Sequence, residues 1–168
     1  MEDNERIKII EKCLSRLLSW ISSAETKIAT FFAIDTAMLG VLAALASRCE
    51  KWKTLNSCST ISAGILLLFS LLFLAIATFP RLKGPKNSIL YFGGIAKKCI
   101  EQYKTEACDL ENNQYLDDLI FQCHRNAEIA MKKFIWIRRS AIALFITIIP
   151  WLIAIFSLYK STLEGAQK

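Results

Sequence analysis

Histidine is almost absent from this chain: His124 stands alone among 168 residues. Zinc-type centres draw several Cys and His ligands from set spacings. The six cysteines, Cys13, Cys49, Cys58, Cys99, Cys108 and Cys123, follow no such spacing, so no metal site is expected. There is no nucleophile motif and no carboxylate pair in a distinctive setting. Asp117-Asp118 reads as a solvated helix face. Gly93-Gly94 lacks the spacing and the following Lys-Ser/Thr of a phosphate loop and reads as close helix packing. No residue is assigned a catalytic role, the chain is not read as an enzyme, and nucleic acid is not an expected partner.

Charge is missing where length makes its absence informative. Residues 59–79 and 140–159 hold no charged side chain, and residues 28–47 hold one, Asp35. Each run has the roughly 20 residues that cross a hydrocarbon core as a helix. None alternates like a barrel strand, and only helices and closed barrels satisfy the backbone in lipid. Core helices of soluble bundles keep a polar face, which the second and third runs lack. The composition agrees: 54% of residues are hydrophobic, yet 21% are charged, so the charge is segregated from the apolar runs. The N-terminal MEDNERIKIIEKC mixes acids and bases where a signal peptide would be apolar, so no cleaved leader is expected.

The expected fold is all-α, an integral membrane protein with three transmembrane helices and a cytosolic helical bundle, assembled as a homo-oligomer. The expected divisions are an amphipathic cytosolic helix at 1–24, a transmembrane hairpin at 25–80 with spans near 28–47 and 59–79, a cytosolic helical region at 81–139, a third span at 140–159 and a tail at 160–168. Eleven of the 21 Lys and Arg lie between 80 and 139. The positive-inside bias therefore puts that region and the N-terminus in the cytosol. Cys49 and Cys58 flank the outer loop. In an oxidising compartment they either clip the hairpin as a disulfide or remain two thiols.

Ile7, Ile10, Leu14, Leu17 and Ile21 recur at helical spacing. That first helix lies on the inner leaflet or packs on the cytosolic helices. Ser22 or Ser23 is a candidate N-cap for the helix that becomes the first span. Asp35 sits about 12 Å deeper than Lys27 along the axis. An ionised carboxylate there is costly unless paired or wetted. It faces a bundle interior, a pore or an oligomer seam, or else it is a neutral or snorkelling carboxyl near the boundary. Leu116, Ile120, Cys123, Ala127, Ala130, Phe134 and Ile137 form a heptad seam, with Glu128 and Lys132 as an i, i+4 pair. No breaker separates this seam from the third span, so one helix continues into the membrane, with Pro150 expected to kink it.

Several strings carry a resemblance: Ala24-Glu25-Thr26-Lys27-Ile28-Ala29 before the first span, Phe79-Pro80-Arg81 after the second, Ser88-Ile89-Leu90-Tyr91-Phe92-Gly93-Gly94-Ile95-Ala96, Tyr115-Leu116-Asp117-Asp118-Leu119-Ile120-Phe121-Gln122, and Lys133-Phe134 leading through Arg138 and Arg139 into the last span. In this order, over about residues 15–160, the chain resembles the Pycsar-type transmembrane effectors of bacterial antiphage defence. The family's usual Ala-Asp-Thr-Lys-Ala stands here as Ala24-Glu25-Thr26-Lys27-Ile28, and Asp35 takes a first-span position that is commonly Asn. The resemblance implies a bacterial inner-membrane effector. It would sense a cyclic mononucleotide made by a partner cyclase, assemble with itself, and impair the lipid bilayer so that infected cells stop growing. The alternative is a constitutive membrane scaffold or channel subunit without a nucleotide.

A nucleotide phosphate needs cations or helix N-termini, and its base needs a stacking or hydrogen-bonding wall. The candidate ligand residues are Glu25, Lys27, Tyr91, Phe92, Gln122 and Arg125. Apart from that role, basic residues here would meet anionic lipid, and the aromatics would serve as interfacial belt or core.

Overall fold

The computed structural model describes residues 3–49, 52–79 and 88–166. Within them the backbone is helical and forms no strand: α1 Asp3–Ala46, α2 Thr54–Thr78, the short α3 Phe92–Ile95, α4 Ile100–Cys108 and α5 Asn112–Ala166. Residues 80–87, with Pro80 and Arg81 of the string that follows the second span, lie outside the described residues, as do Glu50 and Lys51.

The helices build two compact units. One comprises Met1–Ala24 and Phe79–Lys133, the other Glu25–Thr78 and Phe134–Lys168. α1 and α5 contribute to both. The helix start expected at Ser22 or Ser23 is not there, because α1 runs unbroken through both serines. Nothing from Ser22 to Lys27 is a strong helix breaker, and a serine caps only where the chain before it leaves the helix. Three helices, α1, α2 and α5, are long and apolar enough to cross a membrane.

In the span unit the buried positions recur every seven residues. On α1 and just beyond it they are Ile28, Asp35, Leu42 and Cys49, and on α2 they are Asn56, Ala63, Ser70 and Ala77. On α5 two such columns run side by side, Ser140, Thr147, Ala154 and Ser161 beside Ile137, Leu144 and Leu158. This is the repeat of helices that wrap round one another with side chains interlocked. Ala63, Ala77 and Ala154 are fully buried, and small residues of this kind let helix backbones approach closely in lipid. Leu42, Cys49, Ala63, Ala154 and Leu158 form one cluster, with Leu45, Trp151 and Ile155 against it. The Trp151 indole N–H donates to the Met38 carbonyl of α1 at 3.1 Å. Pro150, expected to kink α5, lies within its continuous helix.

The outer faces of these helices are the reverse of a soluble surface. Ile61, Ile65, Leu68, Phe69 and Leu72 are exposed on α2, and Ile142, Phe145, Ile149, Leu152 and Phe156 on α5. A contiguous apolar surface of this extent marks contact with lipid or with another protein. At one end of the unit Lys27 Nζ lies 5.2 Å from the Phe134 ring centroid, and the Arg139 guanidinium 4.4 Å from that of Trp136. Cations and aromatics together are typical of a membrane–water boundary.

In the other unit the buried strip of α5 differs from the expected seam. It passes through Leu119 and Ala130 to Lys133, with Cys123 and Asn126 partly buried between them. Ile120 is 46% exposed and Ala127 is exposed. Cys123 and Ala130 belong to both versions. The alternate positions shift by one residue because the true strip is occupied at 126 and 133 by polar side chains, which an apolar count passes over.

Candidate functional site

The unit of Met1–Ala24 and Phe79–Lys133, named the cleft unit for the cleft it holds, is organised by a tight turn. Residues 88–91 precede α3, and the Asp118 carboxylate of α5 holds them. Asp118 Oδ2 accepts from the Ser88 hydroxyl at 2.9 Å and from the main-chain N–H groups of Ile89 and Leu90 at 3.0 and 3.1 Å. The Ser88 oxygen in turn accepts from the N–H of Tyr91 at 2.8 Å and of Leu90 at 3.2 Å. Gly94 closes on this turn: a Cβ there would lie 2.8 Å from the Ser88 carbonyl oxygen. The close approach at Gly94 is therefore to the turn and not to a neighbouring helix, the packing expected from the sequence, and at Gly93 a Cβ would meet only the Tyr91 side chain.

Beside the turn lies a cleft of about 410 Å³ between α1 and α5. Its apolar walls are Leu14 and Leu18 of α1, Leu90 of the turn and Leu119 of α5, and its polar groups are Glu11, Ser15, Tyr115 and Gln122. The volume is in the range of small-molecule sites, and mostly apolar walls with a few placed polar groups are their usual composition. The Tyr115 hydroxyl donates to Glu11 Oε1 at 2.8 Å. That bond raises the Tyr115 pKa, with burial and the Glu11 charge adding to it. Gln122 Nε2 lies 3.4 Å from the Ser88 hydroxyl, tying the cleft wall to the turn. The lining carries one carboxylate and no Lys or Arg, so it suits a base or another neutral ring better than a bare phosphate.

The span unit holds a second polar group. Asp35 is fully buried on α1. Its Oδ2 accepts from the Ser70 hydroxyl of α2 at 2.7 Å. The Ser70 oxygen lies 2.9 Å from the Ser140 hydroxyl of α5 and 3.3 Å from the Ser140 carbonyl. Asp35 Oδ1 has no hydrogen-bond partner. One polar side chain from each spanning helix therefore meets inside the unit.

The candidate residues named from the sequence fall in both units. Tyr91, Phe92, Gln122 and Arg125 belong to the cleft unit, whereas Glu25 and Lys27 belong to the span unit. Gln122 lines the cleft. The Tyr91 and Phe92 rings are 4.7 Å apart, with Phe92 exposed. Arg125 Nη1 donates to Glu128 Oε2 at 2.6 Å, which holds the Glu128 carboxyl below the usual range. Cys49 and Cys58 are both thiols. Cys49 Sγ is buried 3.5 Å from the Ser161 hydroxyl, and Cys58 is exposed on α2.

Sequence reading missed Glu11, Ser88, Tyr115 and Asp118, and it misread Asp118 as solvated. The signal was weak, since Ser88 and Asp118 lie 30 residues apart and no local spacing links them. Ser70 and Ser140 were missed because single serines in apolar runs look innocuous.

Comparison with known proteins then bears on the whole arrangement. The family model described as the Pycsar effector protein domain matches residues 9–160. The Pycsar effector protein PtPycTM of Propioniciclava tarda is 26% identical over 136 residues, covering 76% of this chain and 67% of the relative. No solved structure matches.

Proposed function

The chain belongs to the Pycsar effector protein family, and from that membership we propose that it is a bacterial antiphage effector that answers a cyclic nucleotide by assembling with itself and damaging the inner membrane. The observation that carries this reading is the family match over residues 9–160, which takes in both the cleft and all three membrane-length helices.

The proposed ligand is a cyclic mononucleotide made by a partner cyclase. Its base enters the cleft between Leu14, Leu18 and Leu119, where Gln122 and Glu11 offer hydrogen bonds to its edge. Its phosphate stays at the open mouth, within reach of solvent and of Arg125 once that side chain leaves Glu128. Tyr91 and Phe92, at the turn that Asp118 holds, belong to the same unit. Glu25 and Lys27, just beyond the division at Ala24, are proposed to relay occupancy along α1. The excess of Lys and Arg in residues 80–139 supports a cytosolic cleft and N-terminus, as do Lys27 and Arg139 on aromatic rings at one end of the spans.

The test uses the full chain in detergent micelles. Calorimetric titration with cyclic CMP, UMP, AMP and GMP is expected to give saturable binding by at least one of them. That nucleotide is expected to shift the particle to a larger size on chromatography, and Gln122→Ala to weaken its binding. Absence of binding by all four overturns the reading. A second reading, a channel subunit without a nucleotide, draws on the polar group inside the spans. Vesicle leak that is independent of every nucleotide would favour it.

A further inference from the structure

Asp35 is the one charged residue in the three apolar runs, and its surroundings are not those of a tolerated defect. It occupies the seven-residue column of α1 between Ile28 and Leu42, both buried. A leucine in its place would complete that column without any polar demand. Instead the other two helices bring hydroxyls to it. Ser70 donates to Oδ2 at 2.7 Å, and Ser140 stands 2.9 Å behind Ser70.

The hydrogen bonds present leave the group incomplete. Asp35 Oδ1 is buried without a partner, and so are Asn56 Nδ2 and Thr60 Oγ1. All three orphan atoms found among the described residues lie in the span unit. Buried polar atoms without partners are rare and mark unseen water, an ion or function. Here the inner seam also carries Ser59, Thr147 and Ser161, all buried. The faces turned away from it carry large apolar side chains. Polar side chains inside spans hydrogen-bond helices together or line ion and water paths, and acidic side chains in such paths favour cations.

We propose that the seam between α1, α2 and α5 becomes a hydrated path for monovalent cations, with the oxygens of Asp35, Ser70 and Ser140 as its binding site. This set is all oxygen, as hard cations require, and Asp35 in its ionised form would supply the one negative charge that a monovalent cation balances. In the packed state the same site is closed over by the Ser70 hydrogen bond. The inference rests on the membrane-damaging role proposed above and gives that damage a chemistry, a cation leak rather than a general breach.

The experiment places the full chain in a planar bilayer with a potassium chloride gradient and adds cyclic CMP or cyclic UMP. The expected current reverses near the potassium equilibrium potential. Asp35→Asn is expected to keep a current whose reversal moves toward zero, and Asp35→Glu to reverse like the parent. Should Asp35→Asn fail to insert, Ser140→Ala keeps the charge and removes one oxygen, and it is expected to weaken the preference for potassium. A second recording in symmetric potassium chloride with a pH gradient separates protons from alkali cations, since reversal displaced by that gradient identifies a proton path. A parent current that reverses at zero or toward chloride overturns the inference and leaves the effector role standing. An unchanged reversal in Asp35→Asn overturns it equally. A complete lack of current with either nucleotide, where both have been shown to bind, removes the membrane-damaging role and this path with it.

Discussion

Asp118 concentrates three donors on one carboxylate oxygen, and two of them are main-chain N–H groups. Its removal leaves the part-buried Ile89 N–H without its acceptor, at about 1–3 kcal/mol, while the Leu90 N–H keeps the Ser88 oxygen. Asp118→Ala is therefore expected to destabilise the cleft unit by about that amount, read by thermal unfolding of the chain in detergent. An unchanged melting curve would mean the turn is held by something else. Gly94→Ala forces a methyl to 2.8 Å from the Ser88 carbonyl, and overpacking of this kind costs about 1–3 kcal/mol. Cys123 gives a separate check on burial. Burial, aided by Cys13, pushes its thiol up to about 11, and the thiolate is the reactive form. Iodoacetamide at neutral pH is expected to label the exposed Cys108 well before Cys123. Labelling of Cys123 should keep rising as the pH approaches about 11. Equal rates at neutral pH, followed by mass spectrometry, would show that Cys123 is not shielded.

At the scale of elements, the register of α5 separates what was legible from what was not. The three spans were readable because Asp35 is the one charge within them, and lipid enforces the absence of charge on every outward position. Continuity of α5 into the third span was readable because nothing between Ala130 and Ser140 breaks a helix. The inner seam was not readable. Its seven-residue column on α5 runs Leu119, Asn126, Lys133, Ser140 and Thr147, so the eye follows the apolar neighbours and lands one position away. The turn–Asp118 contact was also hidden, because its partners are joined only by folding. The two seams make different predictions. Leu119 is 2% exposed and Ile120 46% exposed. Leu119→Ala is expected to cost about 2–5 kcal/mol, and Ile120→Ala a small fraction of that. The reverse order in denaturant melts would restore the simpler apolar seam. The cleft was legible only through Gln122, since Glu11 and Tyr115 have no motif around them and meet by way of the α1–α5 contact.

For the molecule as a whole, the division between a wet unit and a lipid-facing unit follows from where charge sits in the chain. In the reading proposed above, the cleft unit and the N-terminus lie in the cytosol, and the loop at residues 48–58 then lies outside. A membrane-impermeant maleimide added to intact cells is then expected to reach Cys58, at the end of that loop, and to leave Cys99 and Cys108 unlabelled until the cells are broken. The opposite pattern would invert the topology. A cyclic nucleotide at the cleft is proposed to make this protein open the membrane. Dye-free potassium release from vesicles that carry the purified chain measures this most directly, with cyclic CMP or cyclic UMP added to the side that exposes the cleft. Release is expected to start on nucleotide addition, to saturate with its concentration, and to weaken in Gln122→Ala. Release that is the same with and without nucleotide, or none at any concentration, would contradict that proposal.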